Sequence, residues 1–461
     1  MYNSDTIAAI ATGMTNSGIG IIRISGSESF AVAERIFLPA NKNIKIKDAE
    51  SHTIHYGFIK DGEETVDEAM VSVMKSPRSF TTEDTVEINC HGGMLVMNRI
   101  LRLVITNGAR LAEPGEFTKR AFLNGRIDLS EAEAVMDVIS SKNDMALKSS
   151  IGQLRGKVSE KVKQLRSDII YEIAFIESAL DDPEHISLDD YPDKLLIKTD
   201  FLIKAVDNLL QSADSGRIMK EGIKTVIVGK PNAGKSSLLN ILAGEEKAIV
   251  TDIAGTTRDV LEENINLHGI SLNVIDTAGI RDTEDTVEKI GVERARKAAM
   301  DADLIIYVVD ASVPLDGNDQ MIFEMIHDKK SVILLNKTDL PSVINEDDLL
   351  EMTGKDSVMI RTSTKDATGI DLFENTVKDM FFTGKINPDQ EVVITNMRHK
   401  EALLRTLESL KQVKQSIENH MPEDFYSIDL MSAYTSLGSI IGEEVSDDLV
   451  NEIFSKFCMG K

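Results

Sequence analysis

The stretch that decides the fold of this chain is the apolar run Thr225–Val228 followed by the eight residues GKPNAGKS at positions 229–236. These eight residues satisfy the pattern G-x-x-x-x-G-K-[ST] between a predicted strand and a predicted helix. The glycines allow a loop whose backbone N–H groups point at phosphate oxygens, and the following helix adds the positive end of its dipole. In such a loop Lys235 reaches the β- and γ-phosphates, and the Ser236 hydroxyl binds Mg²⁺. The stretch therefore predicts a nucleotide-binding module built on a parallel α/β sheet.

Three further loops follow in the order that a guanine-nucleotide site requires. They read GTTRD at 255–259, DTAG at 276–279 and NKTD at 336–339, and the last two directly follow the predicted strands Leu272–Ile275 and Val332–Leu335. Thr257 can complete the Mg²⁺ shell, and the carboxylate of Asp276 is expected near the metal. The sequence TSTK at 362–365 takes the place of the final base-contacting loop.

The NKTD loop predicts the identity of the base. The Asp339 carboxylate can accept two hydrogen bonds, from guanine N1–H and from the exocyclic amine. Adenine presents an acceptor and no amine at these positions, a mismatch worth roughly 10⁴-fold in a polar site built for its partner. The sequence therefore predicts a GTPase that prefers GTP to ATP.

The hydrolytic group is not identified by the loops themselves. Ile280 follows DTAG, where Ras-type enzymes carry the glutamine that orients the attacking water. A polar group must therefore come from elsewhere, and the acidic segment 282–293 offers the carboxylates Glu284, Asp285, Glu288 and Glu293. Most of these would serve as the solvated acidic first turn of a helix, and the residues alone do not choose among them.

Composition restricts the class of protein. The chain has 461 residues, a formal net charge of −25, two cysteines and 42% hydrophobic residues, which indicates several globular domains without a disulfide framework. No apolar stretch is long enough for a membrane span, and no signal peptide is recognisable, so a cytoplasmic protein is predicted. Because the acidic chain repels phosphate backbones, nucleic acid would have to bind a local basic patch or a partner protein.

Periodicity predicts a multidomain protein with three parts. Residues 1–122 alternate short β-like runs with a helix at Met94–Thr106, as in an α+β domain. Residues 123–218 and 385–461 show helical periodicity, including a long amphipathic helix over about 128–180 and helices over about 194–213 and 396–420. Residues 219–384 form the Ras-like α/β module, inserted between two helical stretches that are expected to pack together.

Motifs outside this module resemble the MnmE (TrmE) family of bacterial tRNA-modifying GTPases over essentially the whole chain. They are GIIRISG at 20–26, SFTTED at 79–84, CHGG at 90–93, PGEFTKRAFLNG at 114–125, DLSEAEA at 128–134 and CMGK at 458–461. The resemblance implies an N-terminal domain that binds tetrahydrofolate and dimerises, an all-α helical domain and a TrmE-type G domain. It also implies that the protein works with the flavoprotein MnmG, which carries FAD, to install an aminomethyl or carboxymethylaminomethyl group at C5 of the wobble uridine, position 34, of tRNA.

The resemblance also assigns residues. Glu288 matches the family's water-orienting glutamate, and Lys235 is the second catalytic residue. K⁺ is expected at Asn232, Thr251, Ile253 and Thr256, and Mg²⁺ at Ser236 and Thr257. The folate contacts, for a 5-formyl or 5,10-methylene derivative, match Arg23, Glu87, Arg126 and Lys461, and Cys458 is a possible residue of the modification centre. The predicted GTP contacts are Asn232, Ala233, Gly234, Lys235, Ser236, Ser237, Thr251, Asp252, Ile253, Ala254, Gly255, Thr256, Thr257, Asp276, Thr277, Ala278, Gly279, Asn336, Lys337 and Asp339.

One alternative belongs to a different functional class. A regulatory or ribosome-assembly GTPase could use the same G module as a binding switch. Such a protein would co-sediment with ribosomes and would not bind folate.

Overall fold

The computed structural model describes residues 5–244, 262–267, 270–275, 297–327, 329–353, 357–382, 392–443, 445–458 and 460. The chain divides into two compact units. The first comprises Met1–Met136, Val162–Arg166 and Tyr434–Lys461, and the second comprises Asp137–Lys161 and Ser167–Ala433. The boundaries of the three predicted domains stay a prediction.

The secondary structure combines two sheets with many helices, which confirms the predicted fold class. The described helices are Ser29–Ile36, Met94–Thr106, Glu116–Leu123, Leu129–Ser140, Asp144–Leu154, Lys157–Asp181, Tyr191–Glu221, Lys235–Ala243, Gly317–Ile326, Glu346–Thr353, Ile370–Phe381, Met397–Glu418, Glu423–Ile441 and Asp447–Ser455. No helix within the described ranges has both the length and the apolarity to cross a membrane.

The first unit is built on a seven-stranded sheet. Its strands are β1 (Ile7–Ile10), β2 (Ser17–Ser25), β3 (Phe37–Pro39), β4 (Thr53–Asp61), β5 (Glu64–Met74), β6 (Thr85–Gly92) and β7 (Arg110–Leu111), in the order β3-β4-β5-β6-β2-β1-β7. All neighbours are antiparallel except β1 and β7. Alternate residues such as Ile22, Ile24 and Ile88 are buried with helix residues such as Val32 and Met97 in one core. This alternation is what a sheet covered on one face by helices requires.

The second unit contains the predicted α/β sheet. Its strands are β8 (Ile223–Val228), β9 (Glu262–Leu267), β10 (Ile270–Ile275), β11 (Leu304–Asp310), β12 (Ser331–Asn336) and β13 (Ser357–Arg361), in the order β13-β12-β11-β8-β10-β9. The strands are parallel except for β9, which pairs antiparallel with β10. The central strands β8, β11 and β12 are nearly continuous apolar runs because helices cover both faces of a parallel sheet. Their carboxyl ends lie at one edge and carry the loops of the predicted nucleotide site.

Two long helices on either side of this module in sequence pack together, as predicted. Tyr191–Glu221 and Met397–Glu418 are joined by ion pairs between Asp200 and Lys414, 2.7 Å apart, and between Asp214 and Lys400, 2.6 Å apart. The α/β module is therefore inserted in sequence between two helices that pack against each other.

The prediction of one helix over about 128–180 was wrong. Three helices occupy this range: Leu129–Ser140, Asp144–Leu154 and Lys157–Asp181. The side chain of Asn143 caps the second by accepting from the N–H of Ala146, and Gly156, with φ of 83°, precedes the third. An N-cap and a left-handed glycine each end the preceding helical path, although the apolar periodicity continues past them.

Candidate functional site

The phosphate-binding loop has the strand–loop–helix geometry that the sequence predicts. β8 ends at Val228, and the helix Lys235–Ala243 begins directly after Gly234. A Cβ on Gly229 would lie 2.3 Å from the carbonyl oxygen of Val308, and a Cβ on Gly234 would lie 2.1 Å from Nδ2 of Asn336. Only glycine fits at these two positions, where φ is 150° and 108°.

The predicted phosphate contacts face the solvent side of this loop. Asn232, Ser236 and Ser237 are exposed, Gly234 and Lys235 are half-buried, and Ala233 is buried. The Lys235 ammonium donates to the carbonyl oxygens of Gly229 and Lys230, both at 2.7 Å. The first turn of the helix carries no acidic residue. The first turn of this helix, which lacks acidic residues, and the Lys235 ammonium are therefore suited to bind an anionic phosphate chain.

Asn336 joins the phosphate loop to the base-contacting loops. It is fully buried, and its Nδ2 donates to the carbonyl oxygen of Ala233 at 2.8 Å. Its Oδ1 accepts from the backbone N–H of Thr364 at 3.1 Å and from the hydroxyl of Thr362 at 3.4 Å. Because a buried amide needs all its partners, one side chain sets the spacing of three loops.

Asp339, the predicted base-contacting carboxylate, lies in the loop that follows β12. It is exposed, and its Oδ1 accepts from the Ser363 hydroxyl at 3.1 Å. Thr338 donates through its backbone N–H and its hydroxyl to the carbonyl oxygen of Thr362, at 3.2 and 2.9 Å. The TSTK segment at 362–365 thus lies against the NKTD loop, and its contact with the base stays a prediction.

Two carboxylates that support this site were missed by the sequence reasoning. Asp310 ends β11 and accepts from the Lys337 ammonium at 2.5 Å. Burial alone would raise the pKa of Asp310, but Lys337 and the donors of Ser312 outweigh burial and hold that pKa below its ordinary value. Asp319, 2% exposed, accepts from the Lys230 ammonium at 2.5 Å and from the Tyr307 hydroxyl at 2.6 Å. The only sequence signal for Asp310 was its place at the carboxyl end of a strand.

The other predicted residues of the nucleotide site lie outside the described residues. They are Thr251, Asp252, Ile253, Ala254, Gly255, Thr256, Thr257, Asp276, Thr277, Ala278, Gly279 and Glu288. Their roles stay predictions.

A second polar cluster lies on the sheet of the first unit. Arg23 on β2 and Glu87 on β6 are directly opposite each other in the antiparallel register. Arg23 Nε donates to Glu87 Oε1 at 2.8 Å, and the side chains are 16% and 21% exposed. The pair is therefore partly shielded from water, where a charge-assisted hydrogen bond is stronger than on an open surface.

Phe80 contacts both Arg23 of this pair and Arg126, a third predicted folate contact. The guanidinium carbon of Arg23 lies 5.9 Å from the centre of the Phe80 ring, and that of Arg126 lies 4.8 Å from the same centre. Arg126 Nη1 also donates to the carbonyl oxygen of Phe80 at 2.8 Å. One aromatic ring thus makes cation–π contacts with two guanidinium groups. Phe80 was quoted only as part of a motif, and its role was not predicted.

The end of the chain reaches the same cluster. Arg23 Nη1 donates to the carbonyl oxygen of Gly460 at 3.2 Å. Gly460 has φ of 87°, and a Cβ there would lie 2.3 Å from the carbonyl oxygen of Ile10. Glycine is therefore required at position 460, where the backbone lies against β1. Lys461, the fourth predicted folate contact, lies outside the described residues.

Comparison with known proteins covers the whole chain. The model described as the MnmE helical domain matches residues 129–458, and the model described as the N-terminus of the GTP-binding protein TrmE matches residues 6–126. The tRNA modification GTPase MnmE of Lachnoclostridium phytofermentans is 57% identical over 99% of this chain and 100% of that protein. The protein of the same name from Acetivibrio thermocellus is 51% identical over 100% of both chains.

The chain belongs to the MnmE family of tRNA modification GTPases. Like that family it is a GTP hydrolase of tRNA modification, which confirms the predicted enzyme class. Among solved structures, the G domain of the T. maritima FeoB iron transporter is 26% identical and covers 34% of this chain and 98% of that one, with a TM-score of 0.27. This TM-score is too low to support an inference about the chain, so family membership rests on the sequence relatives.

The two cysteines of this MnmE-family chain differ sharply in environment. Cys90 is buried on β6 and donates to the carbonyl oxygen of Gly20 at 3.4 Å, whereas Cys458 is exposed. Burial, helped by the negative charge of Asp67, raises the pKa of Cys90 to about 11. Cys458 is therefore the accessible thiol of the two, and its place in the modification centre stays a prediction.

We expect iodoacetamide to modify Cys458 and to leave Cys90 unmodified at pH 8 in the folded protein. With its pKa raised, Cys90 is protonated below the folded pKa, and only about one thiol in a thousand is ionised at pH 8. Peptide mass spectrometry after timed alkylation measures both rates. In urea the two should react alike, and rapid labelling of Cys90 in the folded protein would contradict the burial described here.

Proposed function

We propose that this GTPase acts with the flavoprotein MnmG to install an aminomethyl or carboxymethylaminomethyl group at C5 of the wobble uridine of tRNA. A tetrahydrofolate derivative, bound in the 5-formyl or 5,10-methylene form, supplies the one-carbon unit. FAD enters only through MnmG.

The observation that carries this proposal is the meeting of three predicted folate contacts at one place. Arg23, Glu87 and Arg126 come from two strands and a loop, yet they converge around Phe80, with Gly460 of the terminal motif beside them. Two of the three form a partly buried ion pair, which is costly to bury without a purpose. Solvated surface charges would have no reason to converge in this way.

The donors and acceptors of the cluster fit a folate. Guanidinium groups bind carboxylates through paired N–H donors, which suits the glutamyl end of the cofactor. Glu87 offers carboxylate oxygens to the N–H donors of a pterin ring. Arg23, held by Glu87 and by the Gly460 carbonyl, keeps a fixed orientation before the ligand binds.

Dimerisation through the first unit is supported by its uncovered sheet face. Ile54, Tyr56 and Met70 lie on β4 and β5 and are 65%, 47% and 49% exposed. Tyr56 and Met70 are direct cross-strand partners, so their apolar surfaces are contiguous. A contiguous apolar patch on a sheet face favours burial against another protein surface, here a second copy of the chain.

In the G domain we propose Mg²⁺ at Ser236 and Thr257, and K⁺ at Asn232, Thr251, Ile253 and Thr256. Asn232 supports the second site because it is exposed on the phosphate loop, where its φ of 62° is left-handed, and its side chain is therefore accessible to a cation. A fixed monovalent cation there would stabilise the charge that develops between the β- and γ-phosphates, as an arginine finger does.

We expect GTP hydrolysis to be at least about tenfold faster in KCl than in NaCl at equal ionic strength. Steady-state phosphate release in the two salts measures the ratio. Asn232→Ala should reduce the ratio to near one, whereas Asn318→Ala, an exposed asparagine elsewhere in the second unit, should keep it. Equal rates in both salts for the natural protein would argue against the potassium site.

The proposed function is tested by nucleoside mass spectrometry of tRNA from a deletion strain. We expect the 5-methylene-type modification of the wobble uridine to disappear and to return with the natural gene. Arg23→Gln should not restore it, whereas Arg102→Gln, which removes the same charge from an exposed position of helix Met94–Thr106, should. Unchanged wobble uridine in the deletion strain would overturn the proposal, and ribosome co-sedimentation without folate binding would favour the regulatory GTPase.

A further inference from the structure

A cavity of about 490 Å³ lies in the first unit beside the cluster formed by Arg23, Glu87, Phe80 and Arg126. Its wall includes His52, Arg78, Phe80, Asn124 and Arg126. This volume lies within the range of small-molecule sites, roughly 300 to 1,000 Å³. The cavity therefore has room for a ligand segment beyond the Arg23–Glu87 pair.

The charge of the wall is opposite to that of the protein. None of the described residues that line the cavity is Asp or Glu, although the chain has 76 acidic and 51 basic residues. Arg78 and Arg126 contribute two permanent positive charges to the wall. A cavity without carboxylates in so acidic a protein is suited to an anionic ligand.

The two arginines are available for such a ligand. Within the described residues, the Arg78 guanidinium has no hydrogen bond or ion pair to another side chain. Arg126 donates to a neutral carbonyl oxygen, that of Phe80, at 2.8 Å. Within the described residues neither guanidinium forms a hydrogen bond or ion pair with a carboxylate, although the charge of Glu131 acts on Arg126, and each keeps N–H donors for an anion.

The cavity shares two residues with the proposed folate site. Phe80 and Arg126 line the cavity, and the same Phe80 ring is within 5.9 Å of the guanidinium carbon of Arg23. A ligand whose glutamyl carboxylate meets Arg126 would thus have its outer end directed along the wall toward Arg78. That outer end must carry negative charge to match the two arginines.

We propose that this cavity binds the oligo-γ-glutamate tail of the folate, and that Arg78 is a specificity residue for polyglutamylated forms. The inference rests on the proposed folate function. Each added γ-glutamyl residue brings one further carboxylate, and a bidentate pair with a guanidinium is the strongest way to bind it. The site therefore selects a folate by the length of its tail in addition to its pterin ring.

The test compares 5-formyltetrahydrofolate with one glutamate and with four glutamates by isothermal titration calorimetry on the full-length protein. For the natural sequence we expect the four-glutamate form to bind about tenfold more tightly or better. For Arg78→Gln the ratio of the two affinities should fall close to one. The ratio is the readout because a general loss of folate affinity lowers the affinities for both forms by the same factor and leaves their ratio unchanged.

Arg102→Gln is the matched control, since it removes one positive charge at an exposed position that does not line the cavity. It should keep the tenfold ratio. Equal affinities of the two forms for the natural protein, or an unchanged ratio in Arg78→Gln, would overturn the inference while leaving the folate function intact. Failure of both forms to bind would contradict the folate function itself.

Discussion

Asp339→Asn should lower the affinity for GTP by about 1,000-fold and give the protein a preference for xanthosine triphosphate. The Asp339 carboxylate is predicted to accept two hydrogen bonds from guanine, and it accepts from the Ser363 hydroxyl at 3.1 Å. An asparagine side chain presents its amide N–H₂ to the guanine amine, so donor faces donor. Xanthine carries a carbonyl at that position and would accept the new bond.

Fluorescent-nucleotide titration with GTP and xanthosine triphosphate measures this exchange of preference. Asp366→Asn is a close control, because the Ser363 hydroxyl also lies 3.3 Å from Asp366 Oδ2 and the same charge is removed. The control should keep GTP affinity within a fewfold. Tight GTP binding by Asp339→Asn would show that another group reads the base.

Glu288→Ala should lower the rate of GTP hydrolysis by about 100-fold or more while leaving GTP affinity nearly unchanged. Ile280 stands where Ras-type enzymes have a water-orienting glutamine, and an aliphatic side chain cannot polarise water. The family resemblance assigns that task to Glu288. A residue that acts only on the attacking water stabilises the transition state of hydrolysis and does not change the binding of GTP in the ground state.

Single-turnover phosphate release and nucleotide titration separate the two effects. Glu284→Ala and Glu293→Ala are matched controls, because the sequence alone did not distinguish these carboxylates from Glu288. Both controls should hydrolyse GTP at rates within a fewfold of the natural protein. A near-normal rate for Glu288→Ala would remove it from the role.

Structure and sequence agree most closely where function depends on local backbone geometry. The phosphate loop could be predicted because its glycines, its lysine and its flanking strand and helix are contiguous in the chain. The conformations at Gly229 and Gly234 exclude any other residue, so the motif itself carries the constraint. Asn336 and Asp339 could be predicted for a similar reason, because Asn336 ends the buried strand β12 and Asp339 lies three residues after it.

The helices of the 128–181 range show where periodicity misleads. Apolar spacing indicates which face of a helix is buried, and that face can continue across a break. The helix breaks at Asn143 and Gly156 depend on an N-cap and on one left-handed residue. Neither feature changes the spacing of the apolar residues. Caps must therefore be examined separately from hydrophobic pattern.

From the sequence alone came the GTP-binding loops, the prediction of a guanine site and the family resemblance, because each rests on motifs whose residues are contiguous in the chain. Only the tertiary structure placed Arg23 beside the Gly460 carbonyl, 437 residues away, and set Phe80 against two arginines. It alone also paired Lys337 with Asp310 and opened the carboxylate-free cavity beside Arg78. The physical reason is that charge pairing, cation–π contact and cavity shape depend on distance in space, for which the order of residues carries little signal.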